Sequence, residues 1–175
     1  MHRKVLAILS TAIVFIASMA MGSFAGGAPT PRDHAPNLVR LLGRETFEAN
    51  ALVTSTFRFS PEREFLHTGE RVRWIDQDQV PDPHTMTVVR KSQLPTSFAE
   101  AFACEPCNDA LDAHFGTTPP TTRVDVGAAG FGQPGDSLLI LDGASIGATV
   151  SAPAGTSVFY LCALHPWMQG SLRVG

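Results

Sequence analysis

From about residue 49 onward the chain repeats one pattern, a short stretch rich in β-branched and aromatic residues followed by a cluster of turn formers. "ALVTSTFRFS" sets Phe57 and Phe59 on one face and Arg58 on the other. "ERVRWID" alternates Val72 and Trp74 against Arg71 and Arg73. A period of two belongs to a strand with one face to bury. "HTMTVVR", "SLLILD", "ATVSAP", "TSVFYLC" and "GSLRV" continue the series, and "SPE", "HTGE", "DQDQVPDP", "LDGAS", "APAGT" and "MQG" punctuate it. About seven short strands spaced in this way predict an all-β protein, an antiparallel Greek-key sandwich or barrel.

Two regions depart from that rhythm. Residues 92–136 hold a helix pair, "SFAEAFA" and "NDALDAHF", around "CEPC", then the passage "GTTPPTTRVDVGAAGFGQPGD". Large apolar residues are too few there for a separate core, so this reads as a long, partly helical insertion between two strands. It follows the His84 strand and is therefore expected near the same end of the fold. At the other end, "MHRK" precedes a long apolar run and the small residues "SFA". That is the layout of a signal peptide over residues 1–25, with an uncleaved membrane anchor as the alternative. Residues 26–48 begin as a Gly/Pro-rich tether and are expected to end in a short helical turn. The β-rich domain would then span 49–175.

Removal of residues 1–25 takes away Arg3 and Lys4 and no acid, leaving 11 basic against 16 acidic residues. Nothing forms a basic stripe, which argues against a nucleic-acid partner. Three cysteines remain in a chain read as exported, to the periplasm or the extracellular space. Cys104 and Cys107 are available to each other, and a disulfide bracing the insertion is the preferred reading. A second metal site using Cys104, Cys107 and His114 is the competing one. Cys162 is left alone, and an unpaired thiol outside the cytoplasm needs a reason.

The reason lies in "VFYLCALHPWMQGSLRV", where Cys162, His165 and Met168 follow a strand at intervals of three. A loop with a Pro and a Gly can curl around a point and aim all three side chains at it. Thiolate, imidazole and thioether together favour copper, since zinc sites seldom use Met. A second imidazole is required, and His84 in "DPHTMTVV" is the best placed, at the start of a strand whose end of the sandwich the C-terminal loop would share. Met86 points the same way as His84 and reads as packing beneath the site. His67 reads as a solvated turn residue and His34 as part of the tether.

"DPHTMTVV" with "YLCALHPWMQGSLRV" resembles the cupredoxins, the plastocyanin and azurin group, and the C-x-x-H-P-x-M spacing is most similar to the ligand loop of amicyanin. The resemblance covers about residues 49–91 and 137–175. It implies His84, Cys162, His165 and Met168 as ligands of one type 1 (blue) copper ion cycling between Cu(II) and Cu(I). It also implies a monomer that carries single electrons between transient redox donor and acceptor proteins. Many members have Asn after the first His, bracing the Cys loop; here Thr85 stands in that position, and its hydroxyl is expected to make a similar bond.

Two other classes compete with electron transfer. Copper delivery or scavenging is the alternative, disfavoured because only Met86 and Met168 remain beyond the leader. An enzyme is disfavoured because six His with no H-x-H pair cannot build a trinuclear centre, and one Cys in the loop cannot build a binuclear one.

Overall fold

The computed structural model describes residues 37–175; the expected signal peptide, and the tether as far as residue 36, lie outside the described residues. Twelve strands run in chain order. They are β1 (Asn37–Leu42), β2 (Glu45–Glu48), β3 (Leu52–Ser55), β4 (Arg58–Ser60), β5 (Arg63–Leu66), β6 (Arg71–Asp76), β7 (His84–Val89), β8 (Arg123–Val124), β9 (Ser137–Ile140), β10 (Ser145–Thr149), β11 (Ser157–Leu161) and β12 (Gln169–Val174). Two short helices, α1 (Phe98–Phe102) and α2 (Glu105–Phe115), lie between β7 and β8.

The strands form a sheet ordered β10-β6-β1-β4 and a sheet ordered β5-β12-β11-β7-β9-β8, with β2 and β3 as a separate hairpin. This is the expected Greek-key β-sandwich. Most pairs are antiparallel, while β1–β6 and β12–β5 run parallel. The chain passes repeatedly from one sheet to the other, so neighbours within a sheet need not be joined by hairpins. Trp74, Phe131, Tyr160, Leu41, Met86, Leu138 and Leu172 fill the space between the sheets. None of the described helices is long and apolar enough to cross a membrane.

The tether prediction fails over residues 37–48, where Asn37–Leu42 and Glu45–Glu48 are strands and no helical turn forms. In "NLVRLL", Val39 and Leu41 are fully buried and Arg40 is exposed, a strand's alternation in a segment too short to stand out beside the Gly/Pro-rich residues before it. β1 lies between β6 and β4, so the domain begins by residue 37 and not 49. Leu41→Ala should cost about 2–5 kcal/mol, as for a core leucine. A urea denaturation midpoint that did not move would return this segment to the status of a tether.

The insertion also differs from its expected bounds. The helix pair forms where predicted, but the Gly/Pro-rich passage is not all peripheral. Phe131 is fully buried against Trp74, with ring centroids 5.9 Å apart, and it bridges to Val150. Asp136 is buried too, accepting from the backbone N–H groups of Val126, Gly132 and Gln133 and thereby shaping the loop.

The insertion also covers part of the second sheet. All six residues of β7 are buried, with no alternation. Met86 and Val88 face the main core. On the other face, Val89, Leu161 and Ala163 pack against Cys104, Cys107 and Ala110 in a second small cluster. Cys104 and Cys107 form a disulfide within it. "MQG" punctuates the sequence like a turn, yet Gly170 sits inside β12, where a Cβ would stand 2.5 Å from the Tyr160 ring. Close approach, not turn geometry, requires that glycine.

Candidate metal centre

β7 begins at His84 and β11 ends at Leu161, so the pairing of these two strands sets the start of one beside the end of the other. Cys162 is the first residue past β11, and the chain then closes on itself. Cys162 N–H donates to Met168 O at 2.9 Å, His165 N–H to Cys162 O at 3.2 Å and Met168 N–H to His165 O at 2.8 Å. Gln169 fastens this loop to the start of the insertion, its Nε2 donating to Pro95 O at 2.8 Å and to Pro166 O at 3.1 Å. The insertion therefore does reach the end of the sandwich that carries the site.

The result is a compact group of donors. Cys162 Sγ lies 3.7 Å from Nδ1 of His84 and 3.7 Å from Nδ1 of His165, and the two nitrogens are 3.3 Å apart. A point equidistant from these three atoms lies about 2.1 Å from each, inside the range of roughly 2.0–2.3 Å at which first-row ions meet imidazole nitrogen and thiolate sulfur. The donor set fits such an ion without rearrangement. Met168, from the same loop, is buried beside them. Three of the four residues, His84, Cys162 and Met168, are cut off from solvent, whereas His165 keeps 8 % of its surface exposed.

Hydrogen bonds from outside the donor set orient His84 and Cys162. Nε2–H of His84 donates to the Asp78 carboxylate, whose side chain is buried as well, so the second nitrogen of His84 is held by a charged acceptor. Asp78 is fixed in turn: its Oδ1 accepts from Val80 N–H at 2.9 Å, and its own N–H donates to Asp76 Oδ1 at 3.1 Å. Asp76 Oδ2 accepts from Gly143 N–H at 2.9 Å. The Asp76–Asp78–His84 cluster is thus a scaffold for the imidazole, its carboxylates engaged by backbone donors and by His84.

Thr85 acts as expected. Its Oγ1 accepts from Ala163 N–H at 2.7 Å, tying the Cys loop to β7, and its own N–H donates to Cys162 Sγ at 3.3 Å. The His165 ring packs at a tilt against Phe57, at 4.5 Å between centroids, and edge-on against Trp167, at 5.4 Å.

These contacts set the charges. Burial alone would raise the Cys162 pKa, but hydrogen bonds and charge from His165 and His84 outweigh it and bring it down to about 6. Burial would lower that of His84; Cys162 and Asp78, through hydrogen bonds and charge, together push it up to about 9. At neutral pH the metal-free site therefore holds a thiolate beside an imidazolium.

Sequence reasoning named His84, Cys162, His165 and Met168, and the structure gathers them. It missed Asp78, whose only signal was an acidic residue six positions before His84 in a turn-like run. The competing Cys104–Cys107–His114 metal site is not formed. The two sulfurs are bonded to each other, and His114 is engaged by Thr121 and Ser137. His67 is exposed and Met86 packs in the core, as expected.

No protein-family model and no curated protein matches this sequence. Among solved structures, a purple cupredoxin from Nitrosopumilus maritimus is 15% identical, with 79% of this chain and 99% of that one covered at a TM-score of 0.44. Auracyanin A, a "blue" copper protein from Chloroflexus aurantiacus, is 19% identical, with 80% and 99% covered at 0.45. Amicyanin from Paracoccus versutus is 14% identical, with 84% and 86% covered at 0.38. In its two-sheet sandwich, and in the loop that sets Cys162, His165 and Met168 against a His at the head of a neighbouring strand, the chain resembles the cupredoxins.

Proposed function

We propose that the protein is an exported mononuclear copper protein that carries single electrons between redox partners. His84, Cys162 and His165 would hold the ion, with Met168 as a weaker fourth donor. Bound there, copper supplies one-electron chemistry between Cu(II) and Cu(I). The observation that carries the reading is the buried triangle of two imidazole nitrogens and one sulfur, sized for such an ion and reaching the surface only through His165.

The protein's own part is to hold those donors still. Backbone bonds close the loop, Asp78 fixes the tautomer of His84, and Thr85 locks Ala163. A site held by so many contacts changes little between two charge states, which suits a carrier. The edge of His165 is the exit for an electron, framed by Leu164, Pro166 and the exposed Trp167. Such a small apolar rim suits brief docking of a protein partner. Export is supported by the leader-like residues 1–25, and the Cys104–Cys107 disulfide is at home in an oxidising compartment.

The test is an absorption spectrum during titration with Cu(II). An intense thiolate-to-copper band in the visible should grow to one equivalent and bleach on adding ascorbate. Failure of that band to appear at any ratio would remove copper from the account. Copper that leaves rapidly for a chelator of modest affinity, in both oxidation states, would point to delivery and not to electron transfer.

A further inference from the structure

Among the described residues, His114 is the one fully buried histidine that the donor set does not use. It comes from α2, the helix of the insertion, yet its Nε2 reaches Ser137 Oγ on β9 at 2.8 Å. Ser137 Oγ lies 2.8 Å from Thr87 Oγ1, and Thr87 Oγ1 lies 3.0 Å from Thr85 Oγ1. Thr85 Oγ1 in turn accepts from Ala163 N–H. A continuous line of buried polar groups thus joins the insertion to the residue directly after Cys162.

The direction of every bond in that line follows from its far end. Nδ1 of His114 lies 2.6 Å from Thr121 O, and a carbonyl can only accept, so Nδ1 carries the hydrogen. Burial lowers the His114 pKa, which keeps Nε2 bare. Ser137 must then donate to Nε2, Thr87 to Ser137 and Thr85 to Thr87, each hydroxyl spending its single hydrogen. Thr85 then gives its hydrogen to Thr87 and keeps both lone pairs of Oγ1 for Ala163 N–H; in the reverse direction Thr87 would donate to the same oxygen and compete with Ala163 for it. All four side chains are buried at 1 % exposure or less, away from bulk solvent that could replace a missing acceptor.

We propose that His114 is a positioning residue for the Cys162 loop, the terminal acceptor that sets the direction of a hydrogen-bond line running Ala163, Thr85, Thr87, Ser137, His114. This gives the insertion a task at the site beyond covering β7: it delivers the imidazole that ends the line. The effect on the loop does not depend on copper. The effect on the colour of the site rests on the proposed function, so the two are read separately.

Two substitutions separate the halves of the imidazole. His114→Gln can place its carboxamide oxygen where Nε2 stands, keeping an acceptor for Ser137. His114→Asn can keep a donor toward Thr121 O while leaving Ser137 without one. Ser137→Ala cuts the line without touching α2. The first readout is hydrogen exchange of the Ala163 amide in the metal-free protein, corrected for global stability. We expect exchange about fivefold faster, the loss of about one hydrogen bond, in His114→Asn and Ser137→Ala, and close to wild type in His114→Gln. The second readout is the visible band after adding Cu(II), which should shift in the same two variants and not in the third. Unchanged Ala163 exchange in Ser137→Ala overturns the proposal, as does equal acceleration in the Gln and Asn variants, which would make His114 a packing residue. Should His114→Asn not fold, Ser137→Ala against His114→Gln decides. Should copper fail to bind at all, the exchange result still stands, and only the proposed function falls.

Discussion

The apparent affinity of the metal-free protein for Cu(II) should rise about tenfold per pH unit between about pH 6 and about pH 9, level off above that window and steepen below it. The argument is proton counting. Above about pH 9 both His84 and Cys162 have lost their protons and an ion displaces none. Between the two values one proton sits on His84, and binding must release it. Below about pH 6 Cys162 is protonated as well and at least two must leave, so the slope steepens. Competition with a chelator of known pH behaviour measures the profile. A flat profile across the window would mean that the thiolate–imidazolium pair does not exist. Cys162→Ser should shift the remaining break to lower pH, because Cys162 is among the groups that raise the His84 pKa.

The same pair contributes little slope to the stability of the metal-free fold. Taken singly, the depressed Cys162 value gives stability that is lost as pH falls through about 6, and the raised His84 value gives stability that is lost as pH rises through about 9. The two are coupled, however. Between about pH 6.5 and 8.5 the unfolded chain also holds one proton, on sulfur and not on nitrogen. Folding moves that proton from Cys162 to His84 without changing the count. Metal binding should therefore depend on pH far more steeply than folding does.

What could be foreseen from the chain divides along a physical line. His84 and Cys162 were legible because each sits at the end of a strand with a clear pattern, and strand ends in a sandwich collect at shared edges. Thr85 was legible for the same reason, being fixed by its place next to His84. β1 was harder, since two buried residues, Val39 and Leu41, are too short a pattern to separate from a tether. Phe131 lies among glycines and prolines, and its burial depends on where the returning loop crosses the sheet edge. His114 and Asp78 were illegible as site components. Their roles depend on how the helix α2 is laid across β9 and how the loop before β7 folds back on it, and no periodicity encodes either path.

Asp78→Asn should weaken Cu(II) binding by about 10–100-fold, the usual cost of losing a partner that orients a metal-binding histidine. The substitution keeps size and shape, so its effect is one of donors and acceptors. In the native site two donors, Val80 N–H and His84 Nε2–H, converge on one carboxylate. An amide has a single acceptor oxygen, and its nitrogen would face whichever donor that oxygen does not serve. If the oxygen stays with Val80, the NH2 group opposes His84, whose ring must turn or reverse its tautomer. If it turns to His84, the Asp78–Val80 turn opens. In both cases a negative charge is also lost next to a ligand of the ion, and the doubly charged Cu(II) suffers from that more than Cu(I) does. The reduction potential should rise, by about 59 mV for every tenfold loss confined to Cu(II). Cyclic voltammetry and chelator competition on the same sample measure the two effects. Unchanged affinity and unchanged potential would show that Asp78 merely fills space beneath His84, and a drop in potential would reverse the sign of its electrostatic role.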